Sequence, residues 1–167
     1  MRIFGLAGWS GSGKTTLMTA LIPEFVSRGV TVSTVKHAHH AFDIDQPGKD
    51  SWRHRQAGAR EVMVASDHRW ALMHELSGAC EPSLDELVRR MSPVDLVLVE
   101  GFKRHAHPKI EVYRRSVGKP LLHPDDPFVV AIAADESLPE FSVPWLSLAD
   151  ATTIAGFILR HGDGLAR

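Results

Sequence analysis

The chain has 167 residues, 44% of them hydrophobic and 23% charged, with a formal net charge of -1. That is enough for one domain, residues 1–167, with its own core, and the composition excludes long disordered tracts. The balanced charge argues against a broad surface for nucleic acid, though a compact basic pocket fits within such a total. A single cysteine, Cys80, excludes an intrachain disulfide. With no signal peptide ahead of the first apolar run and no apolar span of roughly 18 residues, the expected location is the cytoplasm, without membrane contact.

The run "RIFGLA" (Arg2 to Ala7) ends at a glycine-rich turn and reads as a buried strand. Leu17, Leu21, Phe25 and Val26 then recur at helical spacing over Lys14 to Ser27, and Gly29 closes that helix. Pro23 lies inside it and is expected to kink or split it, because proline has no amide to donate. "VTVSTVK" (Val30 to Lys36) is a second strand, so the chain opens with a βαβ unit and a parallel sheet.

A histidine-rich loop follows, then a short helix expected over Lys49 to Ala59. "EVMVAS" and "RWALMHEL" flank Asp67-His68 as a hairpin. Ser83 with Glu86 forms a capping box for a helix to Met91. "DLVLVEG" (Asp95 to Gly101) and "FVVAIAAD" (Phe128 to Asp135) read as buried strands, and "KIEVYR" (Lys109 to Arg114) alternates. A short last strand is expected at Pro144 to Leu146, before a helix capped by Ser147 with Asp150 and reaching His161. The expected fold is α/β, of the P-loop NTPase class: a mainly parallel sheet flanked by helices, with an antiparallel hairpin extension.

"GWSGSGKT", Gly8 to Thr15, satisfies every fixed position of G-x-x-x-x-G-K-[ST]. Gly8, Gly11 and Gly13 let the backbone turn its amides inward, and no side chain there blocks a phosphate. The helix N-terminus adds partial positive charge. Ser10 and Ser12 complete the cradle, Lys14 reaches the outer phosphates, and the Thr15 hydroxyl is placed to ligate Mg2+. Ligands of such sheets gather beyond the carboxyl ends of strands. Glu100 ends a buried strand at that edge and is the candidate to hold the metal's water or orient an attacking one.

The stretch "KHAHHAFDIDQPGKDS" from Lys36 supports three readings. It is a solvated polar loop, a metal site of His37, His39 and His40, or a loop in which Lys36 and the imidazoles bind a second anion, with Asp43 or Asp45 completing a Mg2+ shell. The metal reading is strained by the lack of a fourth ligand or cysteine pair. Lys49 and Arg53 share a helical face suited to phosphate, and Lys103, Arg104 and Lys109 follow Glu100 at the same edge.

Together "GWSGSGKTT", "VKHAHHAFDIDQPGKDSWRHRQAGA", "DLVLVEGFKRHAHPKIEVYR" and "AIAAD" resemble the MobB family, accessory proteins of molybdopterin guanine dinucleotide synthesis, over nearly the whole chain. The resemblance implies a GTP-binding adaptor, at most a slow GTPase, that acts beside a MobA-type guanylyltransferase and forms homodimers. It places the triphosphate at Gly8 to Thr16, Mg2+ near Glu100, and molybdopterin, itself phosphorylated, beside the "KHAHH" and "PGKDS" stretches. The N-K-x-D guanine-reading tetrad is absent. Asp135 either accepts from guanine's N1 and N2 donors in its place or begins a turn. The hairpin over Glu61 to Glu75, marginal alone, is expected to extend the sheet or form the subunit interface. A small-molecule kinase and a histidine-rich, nickel- or zinc-delivering GTPase are the competing functions.

Overall fold

The computed structural model describes residues 1–38, 42–103, 105–137, 139 and 142–164. Along the chain the strands are β1 (Arg2–Ala7), β2 (Val32–Lys36), β3 (Glu61–Ala65), β4 (Trp70–His74), β5 (Leu96–Glu100), β6 (Lys109–Tyr113), β7 (Val129–Ala134), β8 (Trp145–Ser147) and β9 (Asp163–Gly164). The helices are α1 (Lys14–Ser27), α2 (Asp50–Gln56), α3 (Leu84–Arg89) and α4 (Ala151–His161), with a short 3-10 turn at Arg115–Val117. The chain divides into two compact units, one of Met1–His37 with Leu84–Arg167, the other Ala38–Ser83.

The first unit is built on a sheet ordered β2-β5-β1-β6-β7-β8, with β9 added at the start of β1. All neighbours along that path run parallel, and only β9 is antiparallel. Parallel strands covered on both faces need apolar residues on both. Phe4 and Leu6 accordingly join Leu17, Leu21 and Phe25 of α1 and Ile154 and Ile158 of α4. Ile3, Val97 and Val99 pack instead with Leu84 and Val88 of α3. Helices α1 and α4 therefore cover one face and α3 the other.

Helix α1 runs through Pro23 as one element rather than splitting. Pro23 and Thr19, whose carbonyl loses its donor, are both exposed, so water can satisfy that oxygen. The helix ends in a Schellman motif: Gly29 has φ 72 and its amide bonds the Val26 carbonyl, while the Val30 amide bonds that of Phe25. Helix α4 is capped by Asp150 alone, whose carboxylate accepts from the Thr153 amide at 2.9 Å; Ser147 ends β8 and its hydroxyl accepts from the Ala149 amide instead. Helix α3 stops at Arg89, short of the expected Met91.

The polar half of the alternation in β6 is not solvent-facing. Lys109 is 1% exposed and Glu111 fully buried. The Lys109 ammonium donates to the Lys103 and His105 carbonyls and to Asp126 at 2.8 to 3.0 Å. Glu111 accepts from the Leu122 and His123 amides at 2.8 and 2.9 Å, and burial raises its pKa.

In the second unit β3 and β4 pair antiparallel, Glu61 opposite His74 and Ala65 opposite Trp70, as a separate two-stranded sheet rather than an extension of the main one. Arg55, on α2, binds Asp43, Asp45 and Glu75 at 2.7 to 3.0 Å, and the Ser51 hydroxyl also donates to Asp45. Met63, Val64, Trp70 and Leu72 of the hairpin are exposed. Among the described residues, no helix is long and apolar enough to cross a membrane.

Candidate functional site

The carboxyl ends of β2, β5 and β1 are brought level by their register, with Lys36 opposite Glu100 and Glu100 opposite Leu6. The glycine loop leaves β1 at the same edge and enters α1 through Gly13, whose left-handed backbone (φ 97) caps the helix without any side-chain bond. The first amides of a helix have no partner within it, and no side chain caps them here. Gly8 (φ 141) and Gly11 (φ 82) hold conformations that a side chain disfavours. At Gly8 an added Cβ would also collide with the Val112 carbonyl and the Ser12 hydroxyl. Gly11 and Ser10 lie exposed at the loop's rim, and Ser12 is buried with its amide bonded to the Trp9 carbonyl at 3.2 Å.

Lys14 bends over the loop, its ammonium donating to the Trp9 carbonyl at 2.8 Å. Burial lowers its pKa, an effect that Lys103 and Lys36 reinforce and Glu100 opposes. The Thr15 hydroxyl donates to Glu100 Oε1 at 3.0 Å, and Lys36 Nζ lies 3.6 Å from the same oxygen. His37 adjoins them: its amide donates to the Glu100 carbonyl at 2.8 Å and its ring tilts against Phe102, 4.8 Å between centroids. Lys14, Thr15, Lys36, His37 and Glu100 thus converge at one sheet edge. Lys103 belongs there too, its Nζ 4.6 Å from the centre of the Trp9 ring. Thr16 is exposed on the first turn of α1.

At the end of β7, Asp135 is paired with Arg114 at 2.8 Å, and Arg114 Nε also donates to the Ser12 carbonyl at 3.2 Å. One guanidinium therefore ties the glycine loop to Asp135. Asp43, Lys49 and Arg53 belong to the second unit. Asp43 there accepts from Arg55, and that bond first and foremost lowers its pKa; Lys49 opens α2, and both it and Arg53 are exposed. His39, His40 and Arg104 lie outside the described residues. Among the described residues, no three histidine, cysteine or acidic side chains are grouped to hold a metal ion.

Three contributors escape the sequence reading. Trp9 fills a variable position of the glycine motif, and Lys119 lies in a loop without any motif. Arg114 directly follows a strand beside β1, so the rule placing ligands at strand carboxyl ends could have found it.

Comparison with known proteins gives a consistent result. Residues 3–135 match the family described as Molybdopterin guanine dinucleotide synthesis protein B, MobB. The chain is 44% identical to a molybdopterin-guanine dinucleotide biosynthesis adapter protein of Haemophilus influenzae, over 97% of this chain and 92% of that one. It is 42% identical to the Escherichia coli K12 protein of the same description, over 94% and 91%. Among solved structures, a crystal structure of molybdopterin-guanine biosynthesis protein B superposes with TM-score 0.75 at 30% identity, covering 95% of this chain and 98% of that one. A MobB homologue from Bacillus stearothermophilus gives TM-score 0.67 at 27% identity, covering 96% and 97%.

Proposed function

This chain belongs to the MobB family, and from that premise we propose that it is a GTP-binding adaptor of molybdopterin guanine dinucleotide synthesis. In this reading it holds GTP with Mg2+ for a MobA-type guanylyltransferase, hydrolyses it slowly at most, and works in the cytoplasm. The observation that carries the reading is the glycine loop with Lys14 bent back over it, beside the Thr15–Glu100 pair.

The loop suits a polyphosphate because its curvature is set by backbone conformations open to glycine, and because the space where a Cβ of Gly11 would stand is open. The Thr15 hydroxyl and Glu100 carboxylate are hard oxygen donors, the kind Mg2+ takes in small number while keeping waters and phosphate oxygens. When bound, the ion neutralises charge on the triphosphate. Glu100 then has two tasks: holding Thr15 in place and accepting hydrogen bonds from water at the outer phosphate. Burial lowers the pKa of Lys14, and the negative charge of a bound triphosphate acts in the opposite direction.

Asp135 is the proposed guanine acceptor, reached through exchange of its bond with Arg114. For molybdopterin's phosphate, Lys36 and His37 are the proposed contacts within the first unit, and Lys49 and Arg53 are an exposed basic pair within the second. The exposed face of Met63, Trp70 and Leu72 supports homodimer formation through the hairpin.

Calorimetric titration of GTP and ATP, with and without Mg2+, tests the reading on wild type and Lys14→Ala. We expect GTP to bind better than ATP and Lys14→Ala to lose about a hundredfold in affinity, the worth of a charge-assisted contact, with an unchanged circular dichroism spectrum. Unaltered affinity in Lys14→Ala refutes the site. Single-turnover reaction with labelled γ-phosphate separates a GTPase, which releases free phosphate, from a small-molecule kinase.

A further inference from the structure

We propose that the Trp9 ring, flanked by Lys103 and Lys119, is a subsite for the planar heterocycle of an anionic ligand, a purine nucleotide or a pterin phosphate. It lies beside the phosphate cradle and rests on the nucleotide reading above.

Nothing in the glycine motif calls for an aromatic residue at position 9. Its indole is fixed nonetheless: Nε1 donates to the Pro120 carbonyl at 2.7 Å. The ring remains partly exposed and borders a small pocket that Val112, Tyr113, Arg114 and Val117 also line. The Ser12 hydroxyl, lining the same pocket, is 2% exposed and has no hydrogen-bond partner. A buried polar atom of that kind is costly unless something completes it.

Two ammonium groups from separate loops approach the indole, Lys103 Nζ at 4.6 Å and Lys119 Nζ at 6.0 Å from its centre. Both loops are anchored from beneath by charges buried in β6. Lys109 holds the Lys103 carbonyl, and Glu111 holds the Leu122 and His123 amides, three and four residues beyond Lys119. Burying two such polar side chains is expensive and has to be matched by well-made bonds. Here those bonds fix the two loops that converge on Trp9. A pinned indole with two ammonium groups over its ring and an uncompleted hydroxyl nearby suits a flat ring carrying phosphate, which takes the indole face as the phosphate draws those cations to itself.

Calorimetry with three probes tests this in the presence of Mg2+: GTP, inorganic tripolyphosphate, and 6-hydroxymethylpterin monophosphate. Trp9→Ala should weaken one of the two heterocycles about tenfold, the usual worth of one stacked ring, and leave tripolyphosphate within about twofold. Trp9→Phe, which keeps a ring, should stay within about threefold of wild type for all three. Loss confined to GTP assigns the platform to the nucleobase; loss confined to the pterin assigns it to the second ligand. The proposal is overturned if Trp9→Ala changes neither heterocycle, or if tripolyphosphate weakens by the same factor, since Trp9 then merely shapes the loop. A wild type that binds neither GTP nor tripolyphosphate refutes the nucleotide reading instead, and the subsite then stands or falls on the pterin arm.

Discussion

Replacing His107 with leucine should remove a pH dependence of stability that the wild type carries between pH 7.5 and 5.0. His107 is 5% exposed, and neither ring nitrogen has a hydrogen-bond partner. Its ring fills the space left by Gly5, where an added Cβ would overlap it. Burial, aided by the Lys109 charge and by His105 and opposed by Asp126, pushes its pKa from 6.5 to about 4. In the unfolded chain the imidazole takes its proton near the ordinary value, so between those two limits the unfolded state binds more protons. The contribution is therefore intact above about pH 6.5 and is lost as pH falls toward 4. A gap of that size amounts to about 3 kcal/mol at its acid limit and about 2 kcal/mol by pH 5.0. Urea unfolding followed by circular dichroism at both pH values measures it. The wild type should lose about 2 kcal/mol more than His107→Leu on acidification. Leucine's effect on stability at pH 7.5 is irrelevant, because only the difference between the two pH values is read. Equal losses in both proteins would refute a neutral, dehydrated imidazole.

Three further outcomes are expected. Glu100→Gln keeps an acceptor for Thr15 but removes the charge, so the gain in GTP affinity on adding Mg2+ should shrink about tenfold while Mg2+-free binding persists; calorimetry decides. Arg55→Ala leaves Asp43, Asp45 and Glu75 without their shared cation, and amide exchange over residues 42–76 should quicken while β1 and β5 stay protected. Trp70→Glu places a charge on the exposed face of the hairpin; sedimentation should find the wild type dimeric and the variant monomeric, and unchanged association would sink the hairpin interface.

Much of the fold was legible because its signals are local. A strand, a glycine turn and a helix are written contiguously from Arg2 to Ser27, and both buried acid-ended runs read correctly as strands. What stayed hidden depends on partners distant in sequence. The alternation in "KIEVYR" is real, but no local feature says that Asp126 and the 122–123 amides will return to bury Lys109 and Glu111. Arg55 similarly reads as one more surface cation until Asp43, Asp45 and Glu75 surround it. The candidate site divides the same way. That Lys14, Thr15 and Glu100 lie at one sheet edge follows from motif and strand order, whereas the approach of Lys103 and Lys119 to Trp9 depends on loops meeting.

Arg114 carries a consequence for specificity. A single planar fork spans the Ser12 carbonyl and the Asp135 carboxylate, so a ligand that takes the Asp135 oxygen held by Arg114 would unlatch one tine and thereby loosen or retune the other. Thermodynamic reciprocity then requires that a base grasped at Asp135 alter the grip on phosphate by the same factor that phosphate alters the grip on the base. Discrimination between purines would be felt at the far end of the molecule that bears them, through one side chain acting as a tether.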